Sequence, residues 1–233
     1  MKHEFEKTDT CAILIFAKST VLESTSKRIL TSNKRNFDLW DKLTHKTLKI
    51  AKQSKIPYFI SDENSQNGEN FGEKIAHSIQ TIFNKGFDKV IVIGNDCIEL
   101  NERHLKIAEL KLQKNDFVFG PDFKGGSYLL GISKNEFETS DFENFNWQSN
   151  TLFENLIHFY KNKQTFILPF LNDVNDTFSF KKATAKLFFD SKFKADLQQL
   201  IEFFSNAFVE VYRTFNIVKI IYKKHRGPPI IEI

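Results

Sequence analysis

The chain has 233 residues, 41% hydrophobic and 27% charged, ordinary globular usage that excludes wholesale disorder and leaves room for one large domain. A net charge of +4 and a pI near 8.9 suit an anionic ligand such as a nucleoside diphosphate, but acidic and basic residues are interspersed and no aromatic-basic repeat of a nucleic-acid module occurs. Two cysteines, Cys11 and Cys97, lie in or beside apolar runs and exclude a disulfide framework, while the absence of a visible signal peptide or bilayer span leads us to expect a cytoplasmic protein.

Along the chain, the run Ala12 to Phe16 is unbroken by polar residues and rich in branched side chains, the pattern of a strand buried on both faces of a parallel sheet. A polar loop follows, and then Phe37, Trp40, Leu43, Leu48 and Ala51 mark a helix. Tyr58 to Ile60 reads as a strand. Phe71, Ile75, Ile79, Ile82 and Phe83 recur at three and four residue steps, and Gly86 closes that helix. Val90 to Ile93 is a second fully buried strand, and Asn101 is placed to cap a helix from Glu102 to about Leu112. Strands are predicted at Phe117 to Phe119 and Tyr128 to Leu130, with the alternation ending near Leu168. This β-α-β grammar predicts a doubly wound, mostly parallel α/β sheet with helices on both faces. A last stripe, Leu197, Leu200, Ile201, Phe204, Phe208, Tyr212 and Phe215, predicts a C-terminal amphipathic helix, packed on the sheet in preference to a membrane surface or a partner, followed by the apolar run Ile217 to Tyr222 and a Gly227-Pro228-Pro229 break. No linker or internal repeat divides the chain, so one domain is expected over residues 1–233, with its core over 11–180 and a helical extension over 181–233.

Ligand sites of open α/β sheets lie outside the carboxyl ends of the strands, so the loops there carry the candidate chemistry. Gly94-Asn95-Asp96 ends the second buried strand, and Asp96 is a candidate ligand for a hard cation bridging a diphosphate, or else a turn residue. Gly125 and Gly126 interrupt two apolar runs, as a hairpin turn or as backbone kept bare for a sugar or base. Asp173 and Asp176 flank Val174 and Asn175, as part of a metal site or as a surface turn.

In this order and spacing the segments resemble a bacterial family of glycosyltransferase-A-like proteins, the radical-SAM/selenodomain-associated transferases. That family is related in fold to molybdenum-cofactor and phospholactate guanylyltransferases. The likeness runs from Cys11 to Phe180 and is most specific over Val90 to Gly131, with further matches at Phe71-Gly72-Glu73-Lys74, at Trp147 with Ser149 and Thr151, and at Asp173-Val174-Asn175. It implies the glycosyltransferase-A fold and a transferase with a nucleotide-sugar or nucleoside diphosphate donor and an unnamed acceptor. It also implies a divalent metal, Mg or Mn, held by Asp96 and Asp173, with Lys27, Arg28, Asn95, Gly125 and Gly126 toward the donor.

Departures cluster in the same pocket. Glu23 stands where the family has the glycine of its first loop, Ser26 where it has a basic residue, and Lys124 where Asp precedes the paired glycines; Ser127 replaces an aromatic residue, Ile98 a proline and Asn175 an Asp. At an effective dielectric of about 20, Glu23 beside a diphosphate adds a few kcal/mol of repulsion at most. Two rival readings follow: a non-catalytic paralogue serving as a binding or scaffold protein, and a nucleotidyltransferase, for which the first loop lacks its glycine.

Overall fold

The computed structural model describes residues 10–188 and 191–201. Two compact units are present, one ending at Lys186 and the other beginning at Leu187. In the second unit residues 192–201 are helical, and the Ser191 hydroxyl caps the start by accepting from the Lys194 backbone N–H at 3.1 Å. The predicted stripe beyond Ile201, the Ile217 to Tyr222 run and the Gly-Pro-Pro break lie outside the described residues.

The first unit runs β1 (Cys11–Phe16), α1 (Thr20–Ser26), α2 (Asn33–Ser54), β2 (Tyr58–Ser61), α3 (Phe71–Asn84), β3 (Lys89–Ile93), α4 (Glu102–Leu112), β4 (Phe117–Pro121), β5 (Ser127–Ser133), α5 (Thr139–Asn144), α6 (Leu152–Phe159), β6 (Thr165–Ile167) and α7 (Thr177–Lys186). One six-stranded sheet has the order β2-β1-β3-β5-β4-β6. β1 pairs in parallel with β2 and β3, with Ile13 opposite Tyr58 and Ile91, and β4 pairs in parallel with β6. Only β5 runs against its neighbours. The cause is the short 122–126 connection, which cannot cross over and so folds β4 and β5 into a hairpin.

Both faces of the central strands are buried, as their unbroken apolar runs require. Ile13, Ile15, Ile91 and Ile93 meet Ile50 and Ala51 of α2 and Leu105, Ala108 and Leu112 of α4. The alternate residues Ala12, Leu14, Val90 and Val92 meet Ile75, Ile79, Ile82 and Phe83 of α3 with Phe142, Leu152 and Leu156 of α5 and α6. Neither face of β1 or β3 offers water, so a charge introduced at Ile13 or Ile91 would be buried unpaired.

Helix starts follow local chemistry. Asn101 caps α4 as expected, its Oδ1 accepting from the N–H groups of Arg103 and His104 while its own N–H donates to His104 Nδ1. Gly72 admits α5, because a Cβ there would lie 2.3 Å from the Glu143 carbonyl oxygen. Two details differ from the sequence expectation. The buried face of α2 is carried by Asn36, Leu39, Trp40, Leu43, Ile50 and Ala51, leaving Phe37 exposed. The stretch read as a polar loop after β1 contains α1, because the segment holds no glycine or proline and Ser19 and Glu23 carbonyls accept from the N–H groups of Glu23 and Lys27.

Candidate functional site

The strand order reverses between β1 and β3, since the chain places β2 on one side of β1 and β3 on the other. A cleft of about 650 Å3 opens there, at the carboxyl ends of both strands. This is where an open α/β sheet separates its connecting loops and leaves a crevice. Its walls come from the end of β1, α1, the turn after β3, the β4–β5 hairpin, the start of α3, the 147–150 segment and Asp173 with Asn175.

Asp96 sits three residues beyond β3. Gly94 makes room for its carboxylate, since a Cβ at Gly94 would lie 2.9 Å from Asp96 Oδ1. The Asp96 backbone carbonyl accepts from Val174 N–H at 3.0 Å, and Cys97 and Asp173 form an antiparallel bridge. These contacts bring Asp173 beside Asp96. Glu99 fastens the same two segments, accepting from both the backbone and the side-chain amide of Asn172, and Lys46 donates to the Cys97 carbonyl at 2.9 Å from below. Burial pulls the Lys46 ammonium down to a pKa of about 8. Glu99 and Lys46 were not singled out from sequence; neither belongs to a recognisable spacing, and only the folded turn gives them a role.

Asp173 Oδ1 is buried and has no hydrogen-bond partner. Burial first, and then the neighbouring carboxylates of Asp96 and Asp122, hold the Asp173 carboxyl well above the ordinary carboxylate range. Asp122 is itself buried, with Oδ1 accepting from the backbone N–H groups of Lys124 at 2.6 Å and Gly126 at 2.8 Å. A Cβ at Gly126 would meet Asp122 Oδ2 at 2.6 Å, so this glycine serves the turn around that carboxylate. Gly125, at φ +88°, accommodates the Asn150 carbonyl, which a Cβ would approach to 1.8 Å. The signal for Asp122 was present in Pro121-Asp122-Phe123-Lys124-Gly125-Gly126, the composition of a side-chain-closed turn.

On the opposite wall Lys27 Nζ donates to Asp96 Oδ2 at 2.7 Å and lies 5.5 Å from the Trp40 ring centre. The Asp96 charge pushes the Lys27 pKa up. The Lys27 carbonyl is anchored by Trp40 Nε1 and Asn36 Nδ2, each at 3.0 Å. Glu23, one helical turn earlier, is buried. Its Oε1 accepts from Lys18 N–H at 3.2 Å, its Oε2 has no partner, and burial pushes its carboxyl up.

Of the residues that the sequence put forward, the cleft brings together Lys27, Asn95, Asp96, Gly126 and Asp173. Asn95 is buried and donates to the Thr44 hydroxyl at 3.2 Å. Arg28 and Gly125 do not line it; the Arg28 guanidinium donates to the Thr31 carbonyl, because α1 ends at Ser26 and turns the next two side chains to different sides. Lys124 reaches the cleft rim and pairs with Asp176 at 2.7 Å. Among the described residues no group of three or more His, Cys, Asp or Glu side chains is placed to hold a metal ion, and no helix is long and apolar enough to cross a membrane.

Comparison with known proteins bears on the fold. A family described as "Uncharacterized protein conserved in bacteria (DUF2064)" matches residues 37–149, and no curated protein matches the chain. Among solved structures, a protein of Desulfovibrio desulfuricans G20 provisionally named a nucleotide-diphospho-sugar transferase is similar at a TM-score of 0.72 and 22% identity, over 82% of this chain and 96% of that one. A homologue, from Mycobacterium sp. strain JC1, of the Mycobacterium tuberculosis protein Rv0371c is similar at a TM-score of 0.48 and 9% identity, over 82% and 98%. A manganese complex of the M. tuberculosis protein itself gives 0.44 and 8%, over 76% and 100%. The first unit has the glycosyltransferase-A-like, nucleotide-diphospho-sugar transferase fold, a mixed sheet of mostly parallel strands flanked by helices.

Proposed function

We propose that the cleft binds the diphosphate of a nucleotide-activated donor, a nucleotide sugar, together with a divalent cation, and that the protein is a transferase. The observation that carries this reading is the carboxylate pair Asp96 and Asp173 at the strand-order reversal, with Asp173 Oδ1 buried and unpartnered. Such an oxygen favours a cation. The donor set fits magnesium or manganese, which take one or two protein carboxylates and complete their shell with substrate phosphates and water. Three metal-ready side chains are therefore not required. Bound there, the cation would stabilise negative charge on a departing diphosphate.

The remaining roles fall to the chain. Lys18, Lys74 and Lys27 line the cleft and attract the diphosphate. Asn95, held by Thr44, offers its amide, and the Phe16, Phe71 and Trp147 rings form an apolar wall that excludes water from one side. A second reading, a donor-binding protein without transfer, draws on Glu23, whose buried carboxyl, with Oε2 unpartnered, lies in the same cleft and repels phosphate.

Calorimetric titration of uridine, guanosine and cytidine diphosphates, with and without Mn2+, tests the reading. The wild type is expected to bind at least one of them with metal dependence, and Asp96→Asn to lose that dependence because an amide is a poor ligand for a hard cation. Identical titrations of the two proteins would refute it. Donor turnover, measured as nucleoside diphosphate released with a panel of acceptors, separates transferase from binder.

A further inference from the structure

We propose that Lys27 is a tethered cation with two seats, Asp96 and Glu23, and that a divalent metal enters the cleft by displacing its ammonium from the first seat to the second. This rests on the metal-binding reading of Asp96 and Asp173 above and adds a residue-level account of how the site is kept neutral before metal arrives.

The first seat is occupied, with Lys27 Nζ at 2.7 Å from Asp96 Oδ2. A divalent cation needs the same carboxylate, and an ammonium in contact with it excludes the metal both by volume and by like charge. The second seat is empty. Glu23 and Lys27 both line the cleft, Lys27 just past the end of α1, where its N–H donates to the Glu23 carbonyl at 2.8 Å and holds the two residues side by side. Glu23 is 6% exposed, and its Oε2 is buried without any hydrogen-bond partner. A buried carboxylate oxygen left in that state is costly unless a donor reaches it.

Lys27 has the freedom to serve both. Its backbone is fixed by Trp40 and Asn36, whereas its side chain is 37% exposed and ends in a compact ammonium on a flexible four-carbon stem. Shifting it to Glu23 satisfies the orphaned oxygen and frees Asp96 beside the second orphan, Asp173 Oδ1. Glu23, Asp96 and Asp173 then fall into two neutralised sets, Glu23 with Lys27 and Asp96 with Asp173 around the metal, while Asp122 stays on the Lys124 and Gly126 backbone N–H groups. Glu23, which departs from the family's glycine, acquires a purpose that simple repulsion of phosphate does not give it.

The test is Mn2+ binding followed by electron paramagnetic resonance, with the metal alone as the probe. Removing the competitor in Lys27→Met is expected to tighten Mn2+ by about 10-fold, within the usual range of coupling between two sites, whereas Lys27→Arg, which keeps the charge, is not. Glu23→Gln is expected to weaken Mn2+ in the wild-type background and to do so less in Lys27→Met, because the second seat matters only while there is an ammonium to reseat. If Lys27→Met does not fold, Lys27→Gln supplies the same measurement. Equal Mn2+ affinity in the wild type and the neutral Lys27 variants overturns the inference and leaves the metal site standing. An equal effect of Glu23→Gln in both backgrounds overturns the second seat. Failure of every variant to bind Mn2+, with or without a nucleoside diphosphate, removes the metal reading itself and this inference with it.

Discussion

The two ends of β3 both carry a polar hollow, and they treat their polar groups in opposite ways. At the amino end, a hollow of about 320 Å3 is bordered by Asp88, Lys89, Gln113, Asp116 and Ser133. Its groups are paired: Thr10 N–H donates to Asp88, Lys89 Nζ reaches Gln113 at 3.3 Å, Asp116 Oδ2 accepts from Gln164 N–H at 2.9 Å, and the Ser133 hydroxyl donates to the Asp116 carbonyl at 3.0 Å. At the carboxyl end, Glu23 Oε2 and Asp173 Oδ1 have no partner, and carboxylates crowd together. Among the described residues only one other buried side-chain atom, the Tyr160 hydroxyl oxygen, is left in that state. Polarity at one end is satisfied within the protein; at the other, buried oxygens of Glu23 and Asp173 are left without a partner, the difference on which the proposed ligand site rests.

The largest expected effect lies in the β4–β5 hairpin turn. Gly125→Ala must relieve both a positive φ and a 1.8 Å approach to a backbone carbonyl, so a loss of about 3 kcal/mol or failure to fold is expected. Gly86, near the amino end of β3, has φ +97° but open space around its Cβ position, and Gly86→Ala should cost only about 1 kcal/mol. Thermal unfolding of the pair checks this, and equal losses would show that the hairpin turn tolerates what the structure forbids.

A smaller effect, opposite in sign at the two ends, sharpens the contrast. Asp173→Asn removes a crowded charge and is expected to stabilise the protein by about 1 kcal/mol while abolishing Mn2+ binding, whereas Asp116→Ala removes a satisfied acceptor and should destabilise by about 1 kcal/mol. Because the folded Asp173 carboxyl is raised, the folded protein binds more protons than the unfolded chain above the ordinary carboxylate range. Wild-type stability from this group is therefore full at low pH and lost as pH rises, so the advantage of Asp173→Asn should shrink on acidification. Denaturant melts at two pH values read this directly, and a constant advantage would locate its origin elsewhere.

The smallest effect belongs to the rim pair Lys124 and Asp176. The Lys124 hydrogen bond holds the Asp176 carboxyl down to about 2, so its contribution is present above the ordinary Asp range near 4 and disappears as pH falls toward 2. Both side chains are about half exposed, and solvent screening limits the pair to about 0.5 kcal/mol. Lys124→Met should lower stability by about 0.5 kcal/mol at pH 7, with the difference vanishing as pH falls toward 2; a much larger loss at pH 7 would mean that the pair supports the hairpin.

Local patterns in the sequence determined the buried strands, the Asn101 cap, the apolar face of α3 and the position of Asp96 beyond the end of a central strand. Each of these is set by residues within a few positions of one another, through periodicity, capping or turn chemistry. The small glycines and Asp residues were legible as a turn, but their partners were not. That Asp173 lies against Asp96, that Lys27 reaches Asp96 across 69 positions, that Gly125 yields to Asn150 and that Glu23 is buried with an unpaired oxygen were decided only by the tertiary structure. Such contacts depend on where loops from distant strands converge above the sheet, and nothing in the local spacing of the chain encodes that convergence.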